Sequence, residues 1–365
     1  MLLGAGLLVV LLGGGGWQWL RQPVPPPALV LPEPSPQTAA LSIVPPAPAP
    51  APAPAMAAPL APPLATEDAI LADAPDALRV TRFAPQPAIL VLQYPSLGEQ
   101  GRALNRVAAL LEKNGFPRDR VLDDAELERR IRATGASPET FYYGHDYRAA
   151  DLVRFFALAD RAGTALTAEE GRLRTLLQDT GWHGTAGEGA LISLVRHDPA
   201  AGLDRSARAT ILRHELSHGL YFTSPAYAAY ALRFWNETLS AKDRALFTTF
   251  LANDGYDPGN ADLMVNETQA YLMHTPDPRF FNAEALGMSE ARLASLRVAF
   301  LAGMPPGWLR DCTVPPATVP SAAVLPARAP RRRQRLAAVR TTSRLAARCA
   351  PPRRAESSAA RRSRT

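Results

Sequence analysis

His214, Glu215 and His218 fall within five consecutive residues, His214-Glu215-Leu216-Ser217-His218. Their types and spacing point to metal-assisted hydrolysis. On an α-helix, residues four apart lie one turn above each other on the same face, so both imidazoles reach one metal ion. Glu215 lies beside them, placed to take a proton from a water that the metal activates. Leu216 and Ser217 inside the motif are uncharged, as a helix that buries a metal on one face requires.

Two histidines do not complete such a site; a third protein ligand is needed. Glu267 lies 49 residues after His218, in Asn266-Glu267-Thr268-Gln269-Ala270-Tyr271, and Glu237 lies 19 residues after it, in Asn236-Glu237-Thr238. Glu237 falls where one helix ends, because Ser240 with Asp243 three residues on has the pattern of a new helix start. Glu267 falls inside an uninterrupted helical stretch, about 261 to 273, bounded by Pro258-Gly259 and Pro276. Small Ala270, one turn later, would let that helix pack closely on the motif helix. Asp254, Asp257 and Asp262 are further candidates for the third position.

On these residues the chain resembles the zincin superfamily of metallopeptidases. The resemblance covers the motif and a downstream glutamate. The metzincin pattern continues with a glycine and a third histidine, where this chain has Tyr221 and Ser224. The gluzincin pattern, with a glutamate from a later helix, remains. That resemblance implies Zn²⁺ held by His214, His218 and Glu267, with Glu215 as general base in peptide hydrolysis. Thermolysin-like members carry an aspartate that orients a ligand histidine at the position of Tyr271. Tyr271, Tyr221, Tyr256 and His274 are the candidates for stabilising an oxyanion, Tyr271 first among them. Zincins also place a sheet edge beside the motif helix, where an extended substrate adds as a strand. The run 189–196 reads either as that edge or as a purely structural strand. His145, His183 and His197 lie in loops and read as surface or cleft-lining residues.

The elements that must position these groups lie between about residues 66 and 312. The run 88–94 reads as a second strand. Helical patterns span about 99–114, 123–133, 147–161 and 168–179, then 205–222 for the motif helix. Four more fit near 225–235, 241–252, 261–273 and 289–302. The expected fold class is α+β: a mainly helical zincin-like domain, with a small sheet beside the motif helix.

The ends have a different character. Residues 1–21 form an apolar, glycine-rich segment suited to a signal peptide or membrane anchor, with Trp17 and Trp19 at the interface position. Residues 22–65 are a proline- and alanine-rich linker, expected to be disordered and extended. Residues 313–365 form a disordered basic tail. From Arg328 onward it holds 13 arginines and one acid, a charge of +12, so with a chain total of +6 the rest of the protein carries −6. An anionic envelope surface fits that tail. Nucleic acid fits it less well, because no aromatic residues are interleaved for stacking and an exported tail faces the envelope. Cys312 and Cys349 lack metal-ligand spacing.

The sequence thus predicts an exported periplasmic or cell-envelope zinc metallopeptidase, membrane-anchored or secreted, acting on a peptide or protein. The alternative is a non-enzymatic, membrane-tethered envelope binding or scaffolding protein whose metal site is structural or vestigial. Glu215 separates the two, since a structural site has no use for a general base.

Overall fold

The computed structural model describes residues 61–182 and 188–313. The N-terminal apolar segment, the linker up to residue 60, His183, Cys349 and the tail from residue 314 lie outside the described residues. Among the described residues, no helix is long and apolar enough to cross a membrane.

Helices dominate, around one mixed five-stranded sheet. Its strands are β1 (Leu64–Ala65), β2 (Arg79–Phe83), β3 (Ile89–Tyr94), β4 (His145–Arg148) and β5 (Ala190–Val195), in the spatial order β1-β2-β3-β5-β4. β1 runs parallel to β2 and β3 parallel to β5, while β2 is antiparallel to β3 and β4 to β5. Every residue of β3 and β5 is buried. That explains their continuous apolar runs, because strands covered on both faces lose the alternation of a half-exposed strand. β1 falls at the end of the segment expected to be linker.

β5 decides between the two readings of its run. It is paired on both sides, by β3 and β4, so its backbone has no free edge to offer a substrate. The run 189–196 is the structural strand, and β4 is the edge strand. β4 also takes Tyr147 and Arg148 out of the helix expected there. Both residues pair with β5, and the helix begins at Ala149.

The motif helix spans Arg205–Thr223. Asp204 caps it, its side chain accepting from Ala207 N–H at 2.8 Å. It ends at Ser224, whose side chain caps the next helix, Pro225–Arg233. Ser224 is therefore a helix cap. The motif helix packs on β5, β4 and β3. Gly219 permits that approach, since a Cβ there would lie 2.8 Å from Ile89 Cδ1. Leu212 and Leu216 sink into the core built on the sheet, with Ile89, Leu92, Leu104 and Leu191.

A second core lies among the C-terminal helices, where Tyr227, Phe247, Leu272 and Phe300 are buried. Its central element is the helix Ala261–His274, capped by Asn260, which packs directly on the motif helix. Full burial of each large apolar side chain contributes about 1.5–3 kcal/mol. The two cores therefore clamp the two helices together. Ala270 is completely buried in this contact zone. The helix Ala241–Asn253 starts as its sequence predicts, with Ser240 and Asp243 forming a reciprocal capping box.

Candidate metal centre

The clamp brings His214, His218 and Glu267 together. One ligand atom from each lies within 4.8 Å of the others, and all three residues are buried. His214 Nε2 is 3.6 Å from Glu267 Oε2, and His218 Nε2 is 3.7 Å from the same oxygen. These separations are too long for hydrogen bonds. They match the edges of a tetrahedron around an ion about 2.1 Å from each donor.

The tautomer of His214 follows from its neighbour. Thr275 Oγ1 donates to the carbonyl of Ala270 at 3.0 Å, so its remaining capacity toward His214 Nδ1, 2.8 Å away, is as an acceptor. Nδ1 must carry the proton, which leaves the Nε2 lone pair facing Glu267. Thr275 thus orients the His214 ring, a task that the sequence reading could not assign. Burial lowers the pKa of both His214 and His218 to about 4, so both imidazoles are neutral near pH 7. Burial raises Glu267 to about 7, although neighbouring His218 opposes that shift.

The unsatisfied atoms test whether a cation fits. His218 Nε2, Glu267 Oε2 and Glu215 Oε2 are all buried without a hydrogen-bond partner. Buried polar groups are nearly always paired. Nδ1 of His218 is orphaned as well, so with Nδ1 as the protonated nitrogen these three atoms, converging from two helices, would suit a divalent cation. Glu215 itself is buried and pushed well above the usual carboxylate range, first by desolvation and then by Glu267 and Glu112.

A cleft of ≈ 360 Å³ leads to this cluster, with His214, Glu215, Asp146, Tyr256 and Tyr271 among its walls. Tyr271 lays its ring edge-on against His214, with centroids 4.8 Å apart, and donates its hydroxyl to Asp254 at 3.0 Å. Tyr256 lines the same cleft, and its hydroxyl acts on Glu267 to lower the carboxylate's pKa, against the larger effect of burial. The other oxyanion candidates lie elsewhere. Tyr221 donates to Asp262, and His274 contacts the hydroxyl of Tyr227.

The rival third ligands also separate. Glu237 is exposed, in the π-helical turn Phe234–Thr238, and has no part in the cluster. Asp257 pairs with Arg118, and Asp262 with Arg148 and Tyr221. Asp254 is held by Tyr271. Among the loop histidines, His145 turns to Ser193 and is pushed down to about 3 by burial, while His197 is exposed.

Three cleft residues escaped the sequence reading. Gly144 faces Glu215 so closely that a Cβ there would lie 2.7 Å from the carboxyl carbon. Lys113 donates to the carbonyl of Asp254 at 3.1 Å, with its ammonium 4.2 Å from the centroid of Tyr142. Desolvation lowers its pKa. Asp146 on β4 lies 3.7 Å from His218 Nε2. Gly144 and Asp146 flank His145 in a loop singled out for its histidine. Their approach to the motif helix exists only once β4 has paired with β5, so no local pattern announces it.

The orphaned donors and their cleft are the basis for assigning chemistry here, because no family model, no curated protein sequence and no solved structure matches this chain.

Proposed function

We propose that the protein is a zinc-dependent metallohydrolase, zincin-like in its site, that hydrolyses peptide bonds. The observation that carries this reading is the meeting of His214, His218 and Glu267 around unsatisfied lone pairs, with Glu215 beside them at the head of a cleft. His214, His218 and Glu267 would hold the ion. Bound there, zinc would polarise a carbonyl and bring the pKa of a water toward about 7.

The chain's own groups supply the remaining roles. Glu215 takes the proton from the attacking water and passes it to the leaving amine. Gly144 leaves room for the Glu215 side chain. Tyr271 and Tyr256 line the cleft, and Tyr271 would have to release Asp254 to donate to the charge that develops on the carbonyl oxygen. β4 is the edge strand beside the motif helix, the side of the sheet on which an extended peptide would have to join.

Glu215→Gln tests the reading. Metal content should stay at the wild-type level while peptide turnover falls by about 10²–10⁴-fold, the usual worth of a general base. Equal turnover by the variant would remove Glu215 from the mechanism. Export and membrane tethering, with the basic tail against an anionic envelope surface, belong to the same proposal. They are tested by locating the full-length protein in fractionated cells.

A further inference from the structure

The cleft over the metal centre is walled by rings. Phe116, Phe141, Tyr142, Tyr143, Tyr256 and Phe280 all line it. Phe116, Phe141, Tyr142 and Tyr256 follow one another, with successive centroids 5.9, 5.4 and 6.3 Å apart. Tyr143 and Phe280 meet edge-on at 6.4 Å. Both are only partly buried, so apolar ring surface stays open to the cleft.

That open surface lies beside the proposed base. Tyr143 directly precedes Gly144, where a Cβ would lie 2.7 Å from the carboxyl carbon of Glu215. Ile211 also lines the cleft, one turn before Glu215 on the same face of the motif helix. A side chain next to the bond under attack would therefore meet Tyr143, Phe280 and Ile211.

The charged side chains around this cleft are already engaged. Lys113 donates to the carbonyl of Asp254 at 3.1 Å, and its ammonium lies 5.1, 4.2 and 5.1 Å from the centroids of Phe141, Tyr142 and Tyr256. Asp254 accepts from Tyr271 at 3.0 Å. Asp146 and Glu215 group with His218 at the candidate metal centre. Arg279, beside Phe280, is paired with Asp204 and Asp277. A charged side chain laid against Tyr143 and Phe280 would lose water without gaining a counter-charge. An aromatic or large aliphatic side chain would bury apolar surface there, and an aromatic one would add edge-to-face contact.

We infer that the cleft selects peptides with an aromatic or large aliphatic side chain next to the bond that is cut, and that Tyr143 and Phe280 determine this preference. The inference rests on the peptidase reading above and names its substrate class.

The test uses the full-length, zinc-loaded protein and blocked, internally quenched alanine hexapeptides, with Phe, Leu, Asp, Lys or Gly placed at each position in turn. Wild type, Tyr143→Ala, Phe280→Ala, Phe280→Lys and Glu237→Ala are compared, with folding checked by circular dichroism and zinc content measured. At one position, wild type and Glu237→Ala should favour Phe and Leu over Asp, Lys and Gly by at least about ten-fold in kcat/KM, the scale of discrimination in an apolar pocket. Tyr143→Ala and Phe280→Ala should shrink that preference to below about three-fold, mainly through KM. Phe280→Lys should move it toward Asp. Labelled forms of the same peptides, titrated by anisotropy against Glu215→Gln, should bind in the same order. Equal cleavage of all five, or a preference for Asp or Lys in wild type, would overturn the inference. A preference for Phe and Leu that survives in both alanine variants would remove Tyr143 and Phe280 from it. No peptide cleaved by wild type and none bound by Glu215→Gln would instead overturn the peptidase reading itself.

Discussion

Two clusters of buried charge in this protein are treated in opposite ways. In the first, Arg106 and Glu170 join the helices Leu97–Leu111 and Ala168–Asp179, with side chains 2% and 1% exposed. Arg106 Nε donates to Glu170 Oε1 at 2.7 Å, a second guanidinium nitrogen meets the other oxygen, and the carbonyls of Leu122 and Ala165 take further donors. Glu170 also closes a capping box with Thr167. In the second cluster, His218, Glu267 and Glu215 each keep an unpaired buried atom. The first cluster ties two helices of the sheet half together, and the second has the open lone pairs that the proposed cation would fill.

The comparison can be broken from either side. Glu170→Ala leaves a buried guanidinium with only the exposed Asp124, 3.5 Å away, as counter-charge, and breaks one half of the capping box with Thr167. Denaturant unfolding should show a loss of about 3–5 kcal/mol, the cost of splitting a buried pair. A loss below about 1 kcal/mol would mean that the pair is no more than a solvated surface contact. Gly144→Ala acts on the second cluster with a smaller effect. The added methyl displaces Glu215 while leaving His214, His218 and Glu267 in place. Turnover should fall by about 100-fold, the scale expected for a catalytic group moved by about 1 Å, with zinc content unchanged. Loss of metal in that variant would show that Gly144 supports the ligands rather than the base. Glu237→Ala, the smallest change, should alter neither stability nor metal content, because the side chain is exposed and remote from the cluster.

Much of the centre was legible because its signals are local. Four-residue spacing puts His214 and His218 on one helix face, and the uninterrupted pattern around Glu267 identifies a helix able to deliver a third donor. The capping box at Ser240 and Asp243, and the apolar runs of β3 and β5, read correctly for the same reason. The parts that did not read are non-local. β2, Arg-Val-Thr-Arg-Phe, is five residues long without a clean apolar–polar alternation, and β4, His-Asp-Tyr-Arg, has no apolar run at all. β4 exists because β5 offers it a partner, and Asp146 and Gly144 acquire their places with it. Thr275 follows its helix in sequence, yet its bond to His214 spans 61 positions. Whether β5 was edge or interior depended on strand order, which a run of apolar residues does not encode.

The most direct test of the account is the metal content of the purified full-length protein after zinc loading and desalting, with wild type beside Glu267→Ala and Glu237→Ala. The account predicts one zinc per chain in wild type and in Glu237→Ala, and loss of it in Glu267→Ala. A wild type that holds no zinc, or a site lost in Glu237→Ala and retained in Glu267→Ala, would contradict it.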